Sequence, residues 1–184
     1  MRVITGIARG RRLAEPEGRD IRPTAAQVKE AMFNIVQFDV EGRRVLDLFG
    51  GTGQLGIEAA SRGAGEVVIV DRDSRAVRLI RANAASCDLD VKVVQTEAIS
   101  YLSRGGRFDL VFVDPPYDSA LAEEALKTMK EFDILSEGGI IVCETRRAAA
   151  LPELGAPYVK GREYRYGKVK LTVYNKSVKE NDGT

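Results

Sequence analysis

Five short apolar runs, each bounded by polar or glycine-rich residues, constrain the fold of this chain more than any other feature. They are RVLDLF (44–49), EVVIVD (66–71), VKVVQ (91–95), FDLVFVD (108–114) and IIVCE (140–144). Helical spacing fills the intervals, and in residues 74–86 it places Val77, Ile80 and Ala84 on one face, with Ser74 as the expected cap. Continuous apolar strands that alternate with helices are typical of a parallel sheet buried on both faces. The sequence therefore predicts a doubly wound α/β fold.

The two ends of the chain depart from this alternation. Residues 158–166 and 168–175 alternate polar and apolar positions around Gly167, which predicts an antiparallel C-terminal hairpin and a mostly parallel sheet of seven strands. Residues 1–15 predict two short strands around ARGRR, a small basic β-hairpin. A helix is expected from Thr24, where Thr24 and Gln27 fit a capping box, to about Phe38. The expected division is an extension with its loop (1–23), a main domain (24–176) and a polar tail (177–184).

Composition excludes several classes of protein. No apolar run approaches the roughly 18 residues of a membrane helix, so we expect a soluble, cytoplasmic protein without membrane contact. Histidine is absent, which excludes Ser-His-Asp triads, Cys-His dyads and histidine metal sites. Cys87 and Cys143 form no CxxC pair and are expected to be reduced thiols in or near the core. We expect a monomer with no metal.

The net charge is only +1, yet basic residues concentrate at the ends of the chain. Residues 1–12 contain four arginines and no acid, and residues 160–176 contain six basic residues against Glu163 alone. Residues 108–145 are mainly acidic. Such ends suit a polyanion, although a solvated surface is the commoner reason for a charge run. A non-catalytic RNA-binding module would explain these basic ends but no other feature of the sequence.

A glycine-rich loop follows the first apolar run directly. Gly51, Gly53 and Gly56 satisfy the spacing GxGxxG, which allows a tight turn and close approach of a ligand. Asp71 ends the second run, where a carboxylate can accept hydrogen bonds from both hydroxyls of a ribose. A structural glycine turn and a solvated strand end are the alternatives. The pattern suits a nicotinamide dinucleotide and S-adenosyl-L-methionine alike.

Two further acids favour the second cofactor. Asp47 lies within the first run, where a buried carboxylate is costly without a partner. The ammonium of a methionine moiety would be such a partner, whereas a pyrophosphate would be repelled; capping of local amides is the alternative. Glu97 begins the next helix and could accept from an adenine amino group, with Ala98 beside the ring, although helix-start acids are common for dipole reasons.

The fourth run ends in the motif DPPY, Asp114 to Tyr117. Its two prolines remove backbone N–H donors and leave the Asp114 carboxylate and the Pro115 carbonyl as neighbouring acceptors. An exocyclic amino group offers two donors, and binding both would pull its lone pair out of conjugation and free it to attack a methyl group. Tyr117 offers a face for stacking a flipped-out base. The alternative is a proline turn before a helix capped by Asp118.

DLFGGTG, VDRD and DPPY together resemble the class I methyltransferases that use S-adenosyl-L-methionine to modify exocyclic amino groups. Residues 1–175, with RGRRL (9–13), RPT (22–24) and FN (33–34), resemble the RsmD family of bacterial 16S rRNA guanine-N2 methyltransferases. This resemblance implies a Rossmann-like class I fold and methylation of guanine 966 of 16S rRNA, in the 30S subunit or its assembly intermediate.

The resemblance also assigns residues to roles. Catalytic residues would be Asp114, Pro115, Pro116 and Tyr117. The cofactor would be bound by Thr24, Asp47, Phe49, Gly50, Gly51, Gly53, Asp71, Arg72, Glu97 and Ala98. RNA would be bound by Arg9, Arg11, Arg12, Arg22 and Lys168. The main alternative is an amino methyltransferase acting on DNA adenine or protein glutamine. A nicotinamide-dependent oxidoreductase would leave DPPY and Asp47 without a role.

Overall fold

A computed structural model describes residues 1–15, 26–116 and 120–178. Its helices are α1 (Ala26–Ile35), α2 (Gln54–Ser61), α3 (Ser74–Ser86), α4 (Ala98–Leu102) and α5 (Leu121–Glu131). Its strands are β1 (Arg44–Asp47), β2 (Glu66–Asp71), β3 (Lys92–Gln95), β4 (Phe108–Val113), β5 (Leu135–Arg146), β6 (Tyr158–Tyr166) and β7 (Val169–Lys176). The five apolar runs thus form the first five strands, as predicted.

The strands form one sheet in the order β3-β2-β1-β4-β5-β7-β6. The first five strands are parallel, whereas β7 is antiparallel to both β5 and β6. This confirms the predicted doubly wound, mostly parallel sheet with a C-terminal hairpin. Successive strands proceed outward from β1 to β3, and the chain then returns to place β4 on the other side of β1. This reversal opens a crevice at the carboxyl ends of β1 and β4, the usual ligand position in such sheets.

Apolar side chains cover both faces of the sheet. One cluster packs α1, α2 and α3 against the sheet, with the Phe33 and Phe112 rings 5.0 Å apart, and the other packs α4 and α5. Cys87 belongs to the first cluster and Cys143 to the second, and both are buried free thiols, as predicted. None of the helices in the described ranges has the length and apolar character that crossing a bilayer requires.

The N-terminal extension differs from the predicted pair of strands. Arg2 and Arg12 form a single antiparallel bridge, and turns occupy the residues between them. The physical reason is Glu58 of α2, whose carboxylate accepts hydrogen bonds from the backbone N–H groups of Ile4 (2.8 Å) and Thr5 (2.9 Å). These amides are therefore unavailable for a longer ladder between the two arms of the hairpin.

Glu58 also joins the extension to two cations, one on α1 and one directly after α2. It is fully buried, and it accepts from the Lys29 ammonium at 3.1 Å and from Arg62 Nε at 3.0 Å. Lys29 donates in turn to the backbone carbonyl of Arg2 at 2.7 Å. Burial lowers the pKa of Lys29, and the charge of Glu58 opposes that shift. A paired buried charge of this kind is costly to break, so the extension is held against α1 and α2.

Smaller departures concern the ends of elements. Helix α3 is capped by Asp73 rather than by Ser74, because Asp73 Oδ1 accepts the backbone N–H of Arg75 at 2.7 Å. Strand β5 begins at Leu135, five residues before the predicted start, because Leu135 pairs with Phe108 of β4. Helix α1 ends at Ile35, short of the predicted end near Phe38. The predicted cap Thr24 and the predicted boundary between residues 23 and 24 lie outside the described residues.

Candidate active site

The crevice at the carboxyl ends of the parallel strands is a cleft of about 580 Å³. Most of the predicted site residues line it: Phe49, Gly50, Gly51, Asp71, Arg72, Glu97, Ala98, Asp114, Pro115 and Pro116. Two others, Asp47 and Gly53, lie behind this lining in β1 and at the start of α2. Thr24, Arg22 and Tyr117 fall outside the residues that the structure describes.

Two different requirements explain the glycines of the loop. Gly51 and Gly53 have φ angles of +56° and +79°, values that favour glycine and that close the turn into α2. Gly50 and Gly56 instead permit close packing, because a Cβ on either one would lie 2.5 Å from the side chain of Ile69. Gly56 is therefore a glycine required by packing, as the structural alternative expected. Gly51, in contrast, lines the cleft and could contact a ligand.

Asp71 holds the glycine loop in place. Its Oδ2 accepts the backbone N–H of Gly51 at 2.8 Å, and its Oδ1 accepts the N–H of Asp73 at 2.8 Å. A carboxylate oxygen can accept more than one hydrogen bond, so both oxygens keep capacity for a ligand hydroxyl. Asp71 is thus positioned by backbone donors at the wall of the cleft, which fits the predicted contact with a ribose.

Asp47 is a buried carboxylate with one oxygen in use. Only 1% of Asp47 is exposed; its Oδ2 accepts the N–H of Gly56 at 2.9 Å, and its Oδ1 has no hydrogen-bond partner in the described residues. Burial, together with the charges of Asp114 and Asp71, raises the pKa of Asp47 to about 8, although the hydrogen bond from Gly56 opposes this shift. The hydrogen bond from Gly56 shows that Asp47 also caps a local backbone amide, as the alternative interpretation expected. A cationic ligand would favour the ionised form of Asp47 and lower its pKa, whereas a pyrophosphate would disfavour that form.

Arg72 and Glu97 flank the cleft at the ends of β2 and β3. Arg72 Nη1 lies 3.7 Å from Glu97 Oε1, and both side chains are more than half exposed. Glu97 is the N-cap residue of α4, yet its side chain makes no capping hydrogen bond. A capping hydrogen bond therefore does not account for Glu97, whereas the helix-dipole alternative still applies to it. Its carboxylate lies beside the nearly buried Ala98, in an arrangement that fits a heterocycle with an amino group.

On the other side of the cleft, Asp114 follows β4, and Glu144 lies near the end of β5. Val113 pairs with Cys143, so Asp114 and Glu144 are the next residues along two neighbouring strands. Both line the cleft, and Glu144 is only 1% exposed. The sequence analysis did not identify Glu144 as a site residue. A signal was present, because Glu144 ends its apolar run as Asp71 and Asp114 end theirs.

Further lining residues had no distinctive sequence signal. Polar and apolar side chains from the starts of helices and from the segments after strands complete the wall: Leu48, Thr52, Gln54, Leu55, Asp73, Arg75, Ala76, Thr96, Ile99, Leu121 and Glu124. Residues of these types recur along the whole chain. Their membership of the site follows from the positions of the strand ends.

The cations predicted to bind RNA lie on two separate surfaces. Lys168 occupies the turn between β6 and β7, and its carbonyl accepts the N–H of Arg147 at 2.8 Å. Because Val169 pairs with Arg146 at the carboxyl end of β5, this turn lies at the same edge of the sheet as the cleft. We call the exposed residues Arg147, Arg165 and Lys168 the hairpin tip.

The other surface, which we call the N-terminal arm, is formed by the exposed residues Arg9, Arg11 and Arg12. The turn that carries it packs beside the last residue of α2, where the N–H of Ile7 donates to the carbonyl of Ser61 at 2.8 Å. The first residue of α2, Gln54, lines the cleft. Since eight helical residues span roughly 10 Å, the turn of the arm lies about one helix length from the glycine loop.

Comparison with known proteins places this geometry in a family. A family model described as "Conserved hypothetical protein 95" matches residues 1–175. The ribosomal RNA small subunit methyltransferase D of Escherichia coli is 32% identical over 178 residues, covering 96% of this chain and 90% of that protein. YlbH of Bacillus subtilis, provisionally named an rRNA methyltransferase, is 37% identical over 182 residues, covering 96% and 99% of the two chains.

Solved structures agree with this assignment. The Escherichia coli protein yhhF, provisionally titled a methyltransferase, superposes with a TM-score of 0.86 at 32% identity and covers 96% of this chain and 98% of its own. The Thermus thermophilus protein TTHA0928 gives a TM-score of 0.81 at 31% identity, with 97% and 99% coverage. The fold is the Rossmann-like class I methyltransferase fold. The chain belongs to the conserved hypothetical protein 95 family, the RsmD family of methyltransferases.

Proposed function

We propose that this protein transfers a methyl group from S-adenosylmethionine to the exocyclic N2 of a guanine in small-subunit rRNA. The observation that carries the proposal is the position of Asp114 and Pro115, a pair of acceptors at the same cleft as the glycine loop and Asp71. The rRNA substrate is supported by the name of the Escherichia coli relative. We take the substrate to be guanine 966 in the 30S subunit or an assembly intermediate, and the enzyme to be a monomer without a metal.

The cofactor is assigned to the half of the cleft formed by β1, β2 and β3. Asp71 would accept hydrogen bonds from the ribose hydroxyls, and Glu97 would accept from the adenine amino group. Asp47, with its unused buried Oδ1, would offset the positive charge of the methionine ammonium. S-adenosylmethionine supplies a methyl group on a positively charged sulfonium, so its transfer needs no strong base. The absence of histidine from the chain is therefore compatible with this chemistry.

The substrate amino group is assigned to Asp114 and the Pro115 carbonyl. These two acceptors would bind both protons of the guanine N2, so that its lone pair leaves conjugation with the ring and points at the methyl group. Pro115 and Pro116 have no N–H, which leaves no backbone donor at these positions to compete for the acceptors. The N2 proton that is lost after transfer would pass to the Asp114 carboxylate. Stacking of the base on Tyr117 remains a prediction from the sequence.

A dinucleotide-dependent oxidoreductase is the alternative that the electrostatics oppose. The buried Asp47 lies close enough to Asp71 and Asp114 for their charges to raise its pKa. A pyrophosphate at the glycine loop would add negative charge to this group of acids. Amino methyltransfer to DNA adenine would use the same acceptor pair, whereas Asp114 argues against protein glutamine, whose methyltransferases favour NPPY. Experiment must separate both substrates from rRNA.

The test is transfer of labelled methyl from S-adenosylmethionine, followed by nucleoside analysis. The acceptors are small ribosomal subunits that lack the modification and the same rRNA stripped of protein. We expect label in N2-methylguanosine, and the better acceptor identifies the assembly state that the enzyme uses. Absence of label from both acceptors, with cofactor binding intact, would reject rRNA as the substrate and direct the search to DNA and protein.

A further inference from the structure

Glu144 lies beside Asp114 in a register that the sheet defines. Val113 pairs with Cys143 in the parallel ladder, and neighbouring strands lie roughly 4.8 Å apart. Val113 and Cys143 both pack in the cluster beneath α4 and α5. Because side chains alternate along a strand, Glu144 projects to the face opposite Cys143. Asp114 directly follows β4, and both acids line the cleft.

The position of β5 assigns Glu144 to the substrate side of the cleft. The residues proposed to hold the cofactor follow β1, β2 and β3, whereas β5 lies beyond β4, on the far side of Asp114 from the glycine loop. Glu144 is 1% exposed although it forms part of the cleft wall, so water reaches little of it. An ionised carboxylate accepts hydrogen bonds and donates none, so a carboxylate in this wall suits a ligand with an N–H donor.

The bases differ at the atom next to the exocyclic amino group. On the Watson–Crick edge, the guanine N2 is followed by N1–H, a donor. The adenine N6 is followed by N1 and the cytosine N4 by N3, and both of these are acceptors. An ionised carboxylate only accepts hydrogen bonds. An acceptor beside the amino-binding Asp114 therefore matches guanine and opposes adenine and cytosine.

We propose that Glu144 accepts a hydrogen bond from the guanine N1–H and thereby selects guanine among bases that carry an amino group. This inference rests on the proposed function, because it requires Asp114 to hold the amino group of the base. It makes Glu144 a specificity-determining residue and explains how a DPPY motif that suits three bases would act on one.

The experiment compares target RNA containing guanine with RNA containing 2-aminopurine at the same position. 2-Aminopurine keeps the N2 amino group but has an acceptor at N1. The wild-type protein should prefer guanine by roughly 10- to 100-fold in kcat/KM, the range expected for one hydrogen bond to a charged group. In Glu144→Gln the amide can accept from N1–H or donate to N1, so the preference should shrink to a few-fold while the Kd for the cofactor is unchanged.

Glu137→Gln is the matched control. Glu137 lies on the same strand, is exposed and is absent from the cleft lining, so this variant should keep the wild-type preference. If Glu144→Gln does not fold, the uncharged and similarly long Glu144→Met provides the same comparison, because it removes the acceptor without adding a polar group.

Three results would overturn the inference. One is equal use of the two RNAs by the wild-type protein. Another is an unchanged preference in a folded Glu144 variant. The third is an equal loss on both RNAs with weakened cofactor binding, which would assign Glu144 to the cofactor. Failure of the wild-type protein to methylate either RNA is a distinct result, since it rejects the proposed function together with this inference.

Discussion

The two halves of the cleft are built differently. In the half that we assign to the cofactor, which we call the cofactor half, backbone N–H groups of the glycine loop donate to nearby acids, as in Gly51 to Asp71 and Gly56 to Asp47. In the half that we assign to the substrate, the substrate half, Asp114 directly follows β4 and Glu144 lies on β5, so their proximity depends on the pairing of these two strands. The comparison shows that the half assigned to the cofactor combines a glycine turn with acids of β1 and β2, whereas the proposed selection of the base depends on the pairing of β4 with β5.

The largest effect is expected in the substrate half. Asp114→Ala removes one of the two acceptors for the amino group, so kcat should fall by roughly 10³-fold or more. Binding of the cofactor, measured by calorimetry, should be unchanged because the glycine loop is intact. Asp90→Ala, at an exposed position between α3 and β3, should retain activity. Normal turnover by Asp114→Ala would reject the proposed mechanism.

The corresponding change in the cofactor half should affect binding rather than turnover. Both oxygens of Asp71 accept backbone N–H groups, so the amide of Asp71→Asn must face one of these donors with its own NH₂. The Kd for S-adenosylmethionine should rise by roughly 10- to 100-fold, with kcat nearly unchanged at saturating cofactor. A fall in kcat without a change in Kd would move Asp71 to the substrate half.

The packing beneath the glycine loop can be tested without touching the ligand. Gly56→Ala would place a Cβ 2.5 Å from Ile69, so the free energy of unfolding should fall by about 1–3 kcal/mol. Gly161→Ala is the control, because its Cβ would approach nothing closer than 3.2 Å. Denaturant titration measures both variants. Equal stability of the two would show that α2 moves away from β2 at little cost.

The smallest effects are expected at the two basic surfaces. Replacing the three cations of the hairpin tip with alanine should weaken RNA binding and reduce its salt dependence, by about one unit of slope for each lost phosphate contact. The same change in the N-terminal arm should have the same sign and a smaller size, since the turn that carries the arm lies farther from the cleft. An unchanged salt slope would remove the altered surface from the RNA interface.

The fold was largely predictable because the apolar runs are long enough to specify strands. The predicted elements are wrong where a residue far away in the chain determines the local structure. The extension has one bridge instead of two strands because Glu58, more than fifty positions later, binds its amides. Strand β5 begins early because Leu135 pairs with Phe108. In the site, Asp71 and Asp114 were predicted from their motifs, whereas Glu144, which belongs to no motif, was missed.

The sequence by itself determined the class of fold, the glycine turn, the acids Asp71 and Asp114 at the ends of two strands that meet the cleft, and the DPPY motif. These features depend on neighbouring residues, whose dihedral preferences and polarity act over a few positions. Only the tertiary structure decided that β4 and β5 lie side by side, that Glu144 faces the cleft beside Asp114 and that the hairpin tip shares this edge. Pairing between strands far apart in the chain depends on how all the elements pack together, and no local pattern encodes it.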